Sequence, residues 1–232
     1  MAAEYFMPQE YLHHLGAVLP ALLRGAWIAV YVVVAAELIG VSFGLIIALL
    51  RLSKSRWMNI PALIYVDLIR GTPMLVQILF LYFGLPSLIS AISGRPWSID
   101  PILAGILALG FNSAAYVSEV FRTAIGSLDK GQTEAARALG LNRLQTFRFV
   151  VLPQAFRWAI PPLGNEFITL LKDTSLLSVI GVAEILKEGQ LYAARTYAIF
   201  PTYIGIAIVY IVLTLSIANV LRYVERKLKV PT

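Results

Sequence analysis

Apolar positions in this chain fall into long runs separated by short polar, basic interludes. Residues 25–50 hold a single charge, Glu37, a run long enough to cross a bilayer as a tilted helix. Arg51, Lys54 and Arg56 follow at once, the flank that stays cytoplasmic under the positive-inside bias. Within that run Gly40 and Gly44 form a GxxxG, with Glu37 three residues earlier on the same face, so the face reads as packed against protein. An acid at that depth must be paired, protonated or wet. The better reading of Glu37 is structural.

A second run, residues 60–86, is broken by Asp67, Arg70, Gly71 and Pro73. Either residues 60–69 lie at the interface and the span begins near Met74, or one helix is kinked at Pro73 with Arg70 well inside. Asp67 and Arg70, three apart, can neutralise each other, or Arg70 can grip a carboxylate. Gly84–Asp100 reads as a short external loop. Residues 101–121 form the third span, where Asn112, Tyr116 and Glu119 recur at helical spacing along one face. Such a row faces protein or a water-filled cavity, not lipid. Glu119 and Arg122 are placed to pair.

Residues 144–171 read as a fourth span interrupted by Pro153 and by Pro161-Pro162, with Asn165 and Glu166 straight after the double proline. Broken helices are tolerated in a bilayer where protein or water satisfies the freed backbone groups. The apolar run Leu176–Leu186 is too short to span and reads as part of a re-entrant or interfacial piece over about 174–186. Lys187–Phe200 is expected as an external loop and 200–221 as the fifth span, followed by Arg222, Arg226, Lys227 and Lys229.

Composition agrees with a membrane protein. The 232 residues are 59% hydrophobic and 14% charged, against about a quarter charged in soluble domains. The net charge of +6 forms no single patch of the kind that binds nucleic acid. Instead 13 of the 19 basic residues sit on one side of an N-out, C-in, five-helix topology. Without cysteine there are no disulfides or thiol metal sites. Residues 1–16 carry Glu4 and Glu10 and no early basic cluster, so they do not read as a cleaved signal. The whole of 1–232 is expected as one transmembrane domain.

Candidate chemistry is sparse. Gly126–Thr133 has the GxxxxG spacing of a phosphate loop, but Gln132 replaces the lysine and no strand precedes it. His13 and His14 are adjacent and do not face one another on a helix, so neither metal nor catalysis is read from them. No nucleophile, base and orienting acid occur together at a spacing that commits the chain to an enzyme. Two non-enzymatic classes stay open from the residues alone: a proton-driven secondary carrier relaying through Glu37, Glu119 and Glu166, and a membrane-embedded scaffold or sensor.

The most informative stretch is residues 131–153. A short helix is expected from about Thr133 to Leu139, with Glu134 and Ala138 on one side and Ala135 and Ala136 on another, stopped by Gly140. Glu134-Ala135-Ala136, Gly140, Val150 and Leu152-Pro153 resemble the cytoplasmic signature of the membrane-spanning subunits of binding-protein-dependent ABC importers. Only Val150, often isoleucine there, departs from it. Arg70-Gly-Thr-Pro73, Gln77, Tyr116, Glu119, Arg122, Pro153-Gln154, Pro162, Asn165 and Lys172-Asp-Thr-Ser-Leu176 extend the likeness, over about residues 20–226, to the polar amino acid branch. The resemblance implies an all-α type I importer fold with about five spans and a cytoplasmic coupling helix at about 131–143. It further implies two ATP-binding cassette subunits inside, a second permease subunit, identical or similar, and a solute-binding protein outside, in a bacterial inner membrane. ATP and magnesium would belong to the ATPase, with no cofactor in this chain. Gly131, Gln132, Glu134, Ala135, Ala136, Arg137 and Gly140 would meet the ATPase. The substrate, a polar amino acid, basic ones (arginine, histidine, lysine) or glutamine among them, would meet Glu166, Asn165, Asn112, Tyr116, Gln77 and Arg70. Glu166 could equally pair with Lys172.

Overall fold

The computed structural model describes residues 8–228, and these are helical almost throughout. The helices are α1 (Pro8–Arg51), α2 (Arg56–Arg70), α3 (Met74–Leu79), α4 (Leu85–Ser93), α5 (Pro101–Gly126), α6 (Lys130–Ala138), α7 (Arg143–Thr146), α8 (Leu152–Asp173), α9 (Ile185–Thr196) and α10 (Ile199–Leu228). Among the described residues, four helical stretches are long and apolar enough to cross a membrane: Gln9–Arg51, Met74–Ser93, Pro101–Gly126 and Ile199–Leu228.

Several boundaries differ from those the sequence suggests, each for a local reason. The first helix begins at Pro8, well before residue 25, because Pro20 does not end it. The chain does turn at Gly71-Thr72-Pro73, where Pro73 begins the next helix in extended conformation. Beyond it the helix continues to Ser93, so Gly84–Ser93 is not loop. Pro86 is absorbed by a π turn over Phe80–Gly84, in which the Leu85 N–H bonds back to the Phe80 carbonyl. The helix stops only at Gly94, at φ +66°.

The same device recurs ahead of α8. Phe147–Val151 is a π turn in which the Leu152 N–H reaches the Phe147 carbonyl, and Pro153 follows. The two stretches, Phe80-Leu-Tyr-Phe-Gly-Leu-Pro86 and Phe147-Arg-Phe-Val-Val-Leu-Pro153, share the opening Phe and the closing Leu-Pro. An i→i+5 turn widens the helix just where proline lacks its N–H and its ring crowds the preceding turn. Thus neither Pro153 nor Pro161-Pro162, which lie inside α8, interrupts the helix as expected. Residues 174–180 form a 3₁₀ turn closed by Gly181 at φ +87°. Lys187–Thr196 is helix rather than loop, because the Glu184 carboxylate caps α9 by accepting from the N–H groups of Leu186 and Lys187, both at 2.8 Å.

The chain divides into two compact units. One gathers the described residues up to Ala36 with Pro73–Leu109 and Ile168–Ile217. Here α1 packs closely on α9 and α10. A Cβ at Gly25 would lie 2.6 Å from the Glu184 backbone carbonyl carbon, and Gly189 faces Ile206 and Leu22. The buried Glu184 also accepts a hydrogen bond from the Tyr210 hydroxyl at 2.8 Å. His14 Nδ1 lies 2.9 Å from the Tyr192 hydroxyl. Among the described residues no cluster of His, Asp or Glu is arranged to hold a metal.

The second unit gathers Glu37–Thr72, Gly110–Phe167 and the described residues from Ala218. Small residues bring its helices together, as membrane packing requires when lipid is as apolar as leucine. A Cβ at Gly40 would lie 2.7 Å from the Ser113 Cβ and one at Gly44 2.6 Å from Val117 Cγ1, while Gly164 abuts Leu221. Ala48, Val117, Phe121 and Ala159 form its core, with Phe121 and Phe156 edge to face at 5.0 Å. Glu37 accepts a hydrogen bond from Ser113 at 3.0 Å through one carboxylate oxygen, while its other oxygen is buried without a hydrogen-bond partner among the described residues.

Candidate functional site

Two features of the second unit carry chemistry. The first is α6. Asp129 caps its start by accepting from the Gly131 N–H at 2.8 Å. Gly140 sits at φ +89°, the left-handed position that a β-carbon disfavours. Asn142 and Gln145 then form a reciprocal capping box that opens α7. Of the residues expected to meet an ATPase, Ala136 is turned inward and buried, whereas Gly131, Gln132, Glu134, Ala135, Arg137 and Gly140 are exposed. Leu139 and Leu144, not picked out from the sequence, are 83% and 74% exposed. An exposed small-residue face flanked by two leucines is a surface another backbone can approach closely. Gly126–Thr133 is a helix end, a turn and a helix start, not the strand-led loop that cradles phosphates.

The second feature is an ion cluster around Glu119. Its carboxylate accepts hydrogen bonds from Arg51 and from Arg122, the latter at 2.7 Å. A third cation, Arg70, lies 3.6 Å away. Arg70 is not ion-paired with Asp67; its guanidinium sits over the Tyr116 ring, 5.2 Å from the centroid, a favourable cation–π placement. So α1, α2 and α5 are tied through one side chain. Beside Glu119, Thr123, Ser127, Trp158 and Pro162 line a groove of about 340 Å³, within the range of small-molecule pockets.

Of the residues expected to meet substrate, Arg70 and Tyr116 are therefore brought together, and buried Asn112 lies one helical turn above Tyr116 on α5. Asn165 and Glu166 belong to α8 in the same unit, whereas Gln77 belongs to the other unit. Arg51, Thr123 and Trp158 were not foreseen. Arg51 reads in sequence as one more basic flank, and the approach of α1 to α5 that brings it to Glu119 leaves no trace in local spacing.

Comparison with known proteins agrees with this geometry. Residues 40–230 match the family described as binding-protein-dependent transport system inner membrane component. The chain is 38% identical over 216 residues to the glutamine transport system permease protein of Escherichia coli (strain K12), covering 91% of this chain and 94% of that one. It is 37% identical over 211 residues to the arginine transport system permease protein of Bacillus subtilis (strain 168), covering 91% and 94%. A solved amino acid ABC transporter crystallised with histidines superposes with a TM-score of 0.80 at 38% identity, over 90% of this chain and 94% of that one. A methionine ABC transporter in an inward-facing conformation, at 20% identity and a TM-score of 0.66 over 88% and 95%, shares the fold. A proton-driven carrier is not favoured by these relatives, whose family works with a separate ATPase and a binding protein. With the family match over residues 40–230 and relatives at 34–38% identity over nine-tenths of its length, the chain belongs to the inner-membrane permease subunits of binding-protein-dependent ABC importers.

Proposed function

We infer that this permease moves polar amino acids into the cytoplasm by alternating access, driven by ATP hydrolysis in partner subunits. The carrying observation is α6, exposed along Glu134, Ala135 and Arg137 and closed by a left-handed Gly140. Ala135 and Gly140 let an ATPase groove approach the backbone, and Glu134 and Arg137 supply polar contacts at its edge. Closure of the ATPase pair on ATP and magnesium would then turn the spans as rigid bodies.

The assembly on this reading holds two ATPase subunits, this permease with an identical or similar second one, and an external solute-binding protein. The N-terminus lies outside and the C-terminus inside. Helix α8, too polar over its length to count as a span on hydropathy, crosses as the fourth of the five spans. Relatives named for glutamine and arginine support the substrate class. Arg70 receives the substrate carboxylate, with Tyr116, Asn112 and Asn165 as polar companions. Glu166 receives a cationic group and leans the selectivity toward arginine, histidine or lysine.

The test is a mild-detergent pull-down of the tagged chain. Wild type is expected to recover a phosphate-loop ATPase in equal amount, and Gly140→Asp to stay inserted but lose it. Unchanged ATPase recovery with the variant would sink the docking role of this segment. For the substrate, Glu166→Gln is expected to lower arginine uptake relative to glutamine uptake in proteoliposomes, and an unchanged ratio removes the basic leaning.

A further inference from the structure

The Glu119 cluster is unbalanced: Arg51, Arg70 and Arg122 share one carboxylate. The three are not held alike. Arg51 and Arg122 are hydrogen-bonded to Glu119, whereas Arg70 stands 3.6 Å off with 45% of its side chain exposed. Among the described residues Arg70 makes no hydrogen bond; its contacts are the long ion pair and the Tyr116 ring. A planar guanidinium with all its donors unspent is suited to bidentate binding of a carboxylate. With nearly half of its side chain exposed, that guanidinium is open to a small molecule.

We propose that Glu119 is a built-in competitor for the substrate: its carboxylate holds Arg70 until the α-carboxylate of the amino acid takes Arg70 in its place. This rests on the reading of Arg70 given above. The exchange moves one ion pair and breaks no covalent bond. Arg70 gains two charge-assisted hydrogen bonds and gives up a contact that had none. Glu119 keeps Arg51 and Arg122, so α1 and α5 stay joined. What loosens is the ionic tie between α2, which ends at Arg70, and α5, while the Tyr65 hydroxyl still donates to the Phe111 carbonyl. Occupancy at the substrate carboxylate thereby becomes a change in how two helices are held.

The test is equilibrium binding of radiolabelled L-glutamine and L-arginine, and of their α-carboxamides, to the complete transporter complex in nanodiscs. Removing a competing ion pair of this partly exposed kind is expected to tighten binding by roughly three-fold. Glu119→Gln should therefore tighten the acid by that factor and leave the α-carboxamide unchanged. Arg70→Gln should weaken the acid about ten-fold, again sparing the amide, and the double variant should behave as Arg70→Gln alone. Should Glu119→Gln fail to assemble, Glu119→Asp, which withdraws the carboxylate by one methylene, is expected to shift acid binding in the same direction.

If Arg70→Gln weakens the acid while the Glu119 variants change nothing, or change acid and amide alike, the competition is refuted and the substrate reading of Arg70 survives. If Arg70→Gln leaves acid binding intact, both fall. A wild-type complex that binds none of the four probes overturns the amino acid reading and this inference with it.

Discussion

Gly25 and Gly16 lie on the same helix nine residues apart yet differ in what surrounds them. A Cβ at Gly25 would stand 2.6 and 2.7 Å from backbone atoms of Glu184 and Ile185, which have no rotamer with which to retreat; at Gly16 nothing lies within 4 Å. Gly25→Ala should therefore cost about 1–3 kcal/mol through overpacking. Gly16→Ala should be neutral or gain up to about 1 kcal/mol from helix propensity. Thermal unfolding in detergent, followed by loss of the monodisperse peak, would show the two changes moving the midpoint in opposite directions or only the first moving it. Equal shifts would contradict the packing described. At this scale the sequence is informative where partners are near. The Glu37, Gly40, Gly44 face and the left-handed Gly140 follow from spacing within one or two turns. Arg70 shows the opposite case: Asp67 is its nearest acid in the chain, but its partner Glu119 is brought in by another helix.

Among the elements, α9 was hidden by its polar composition. Lys187, Glu188, Gly189 and Arg195 look like loop, and the cap that starts the helix is a glutamate, whose longer side chain is not among the preferred N-caps. Glu184 compensates with two backbone hydrogen bonds and the Tyr210 hydroxyl. Glu184→Ala should remove the cap and take away the carboxylate that accepts from the Tyr210 hydroxyl, costing about 2–4 kcal/mol. Hydrogen exchange measured by mass spectrometry is expected to rise over Leu186–Gly189 first; exchange unchanged there would show that α9 does not depend on its cap. The prolines misled for a related reason. Pro86, Pro153 and Pro161-Pro162 are helix breakers by local rule, and two of these sites are accommodated by π turns whose bonding depends on residues before the proline.

For the whole molecule, the distribution of basic residues is the topological argument, and the absence of native cysteine makes it testable without background. A cysteine at Trp97, in the segment between α4 and α5, is expected to react with a membrane-impermeant maleimide in intact cells. One at Leu139, 83% exposed beside α6, should react only after permeabilisation. The reverse pattern would invert the chain. The all-helical class and the long apolar helices that cover residues 25–50 and 101–121 were legible because continuous apolar runs need no partner to be recognised. The division into two units was not. Helices α1, α5, α8 and α10 each contribute residues to both units, so every crossing but the one at Thr72-Pro73 falls inside an uninterrupted helix and no linker composition marks it.

The π turn at Phe147–Val151 also sets a count of residues. Bonding each N–H one residue further back accommodates one more residue than an α turn, so every side chain after it is displaced by about a hundred degrees from where an unbroken α-helix would place it. Gly164 meets Leu221 only in that phase. A permease without a proline at position 153 therefore needs one residue fewer between Arg143 and Gly164 to present the same glycine to the same leucine. Pro153→Ala combined with deletion of Val150 should accordingly keep α8 packed on α10, whereas deleting Ala159 alone should turn Gly164 away and expose the chain to membrane proteolysis. On this geometry a length difference of one residue at this point between two such chains is a difference in spelling, not in shape.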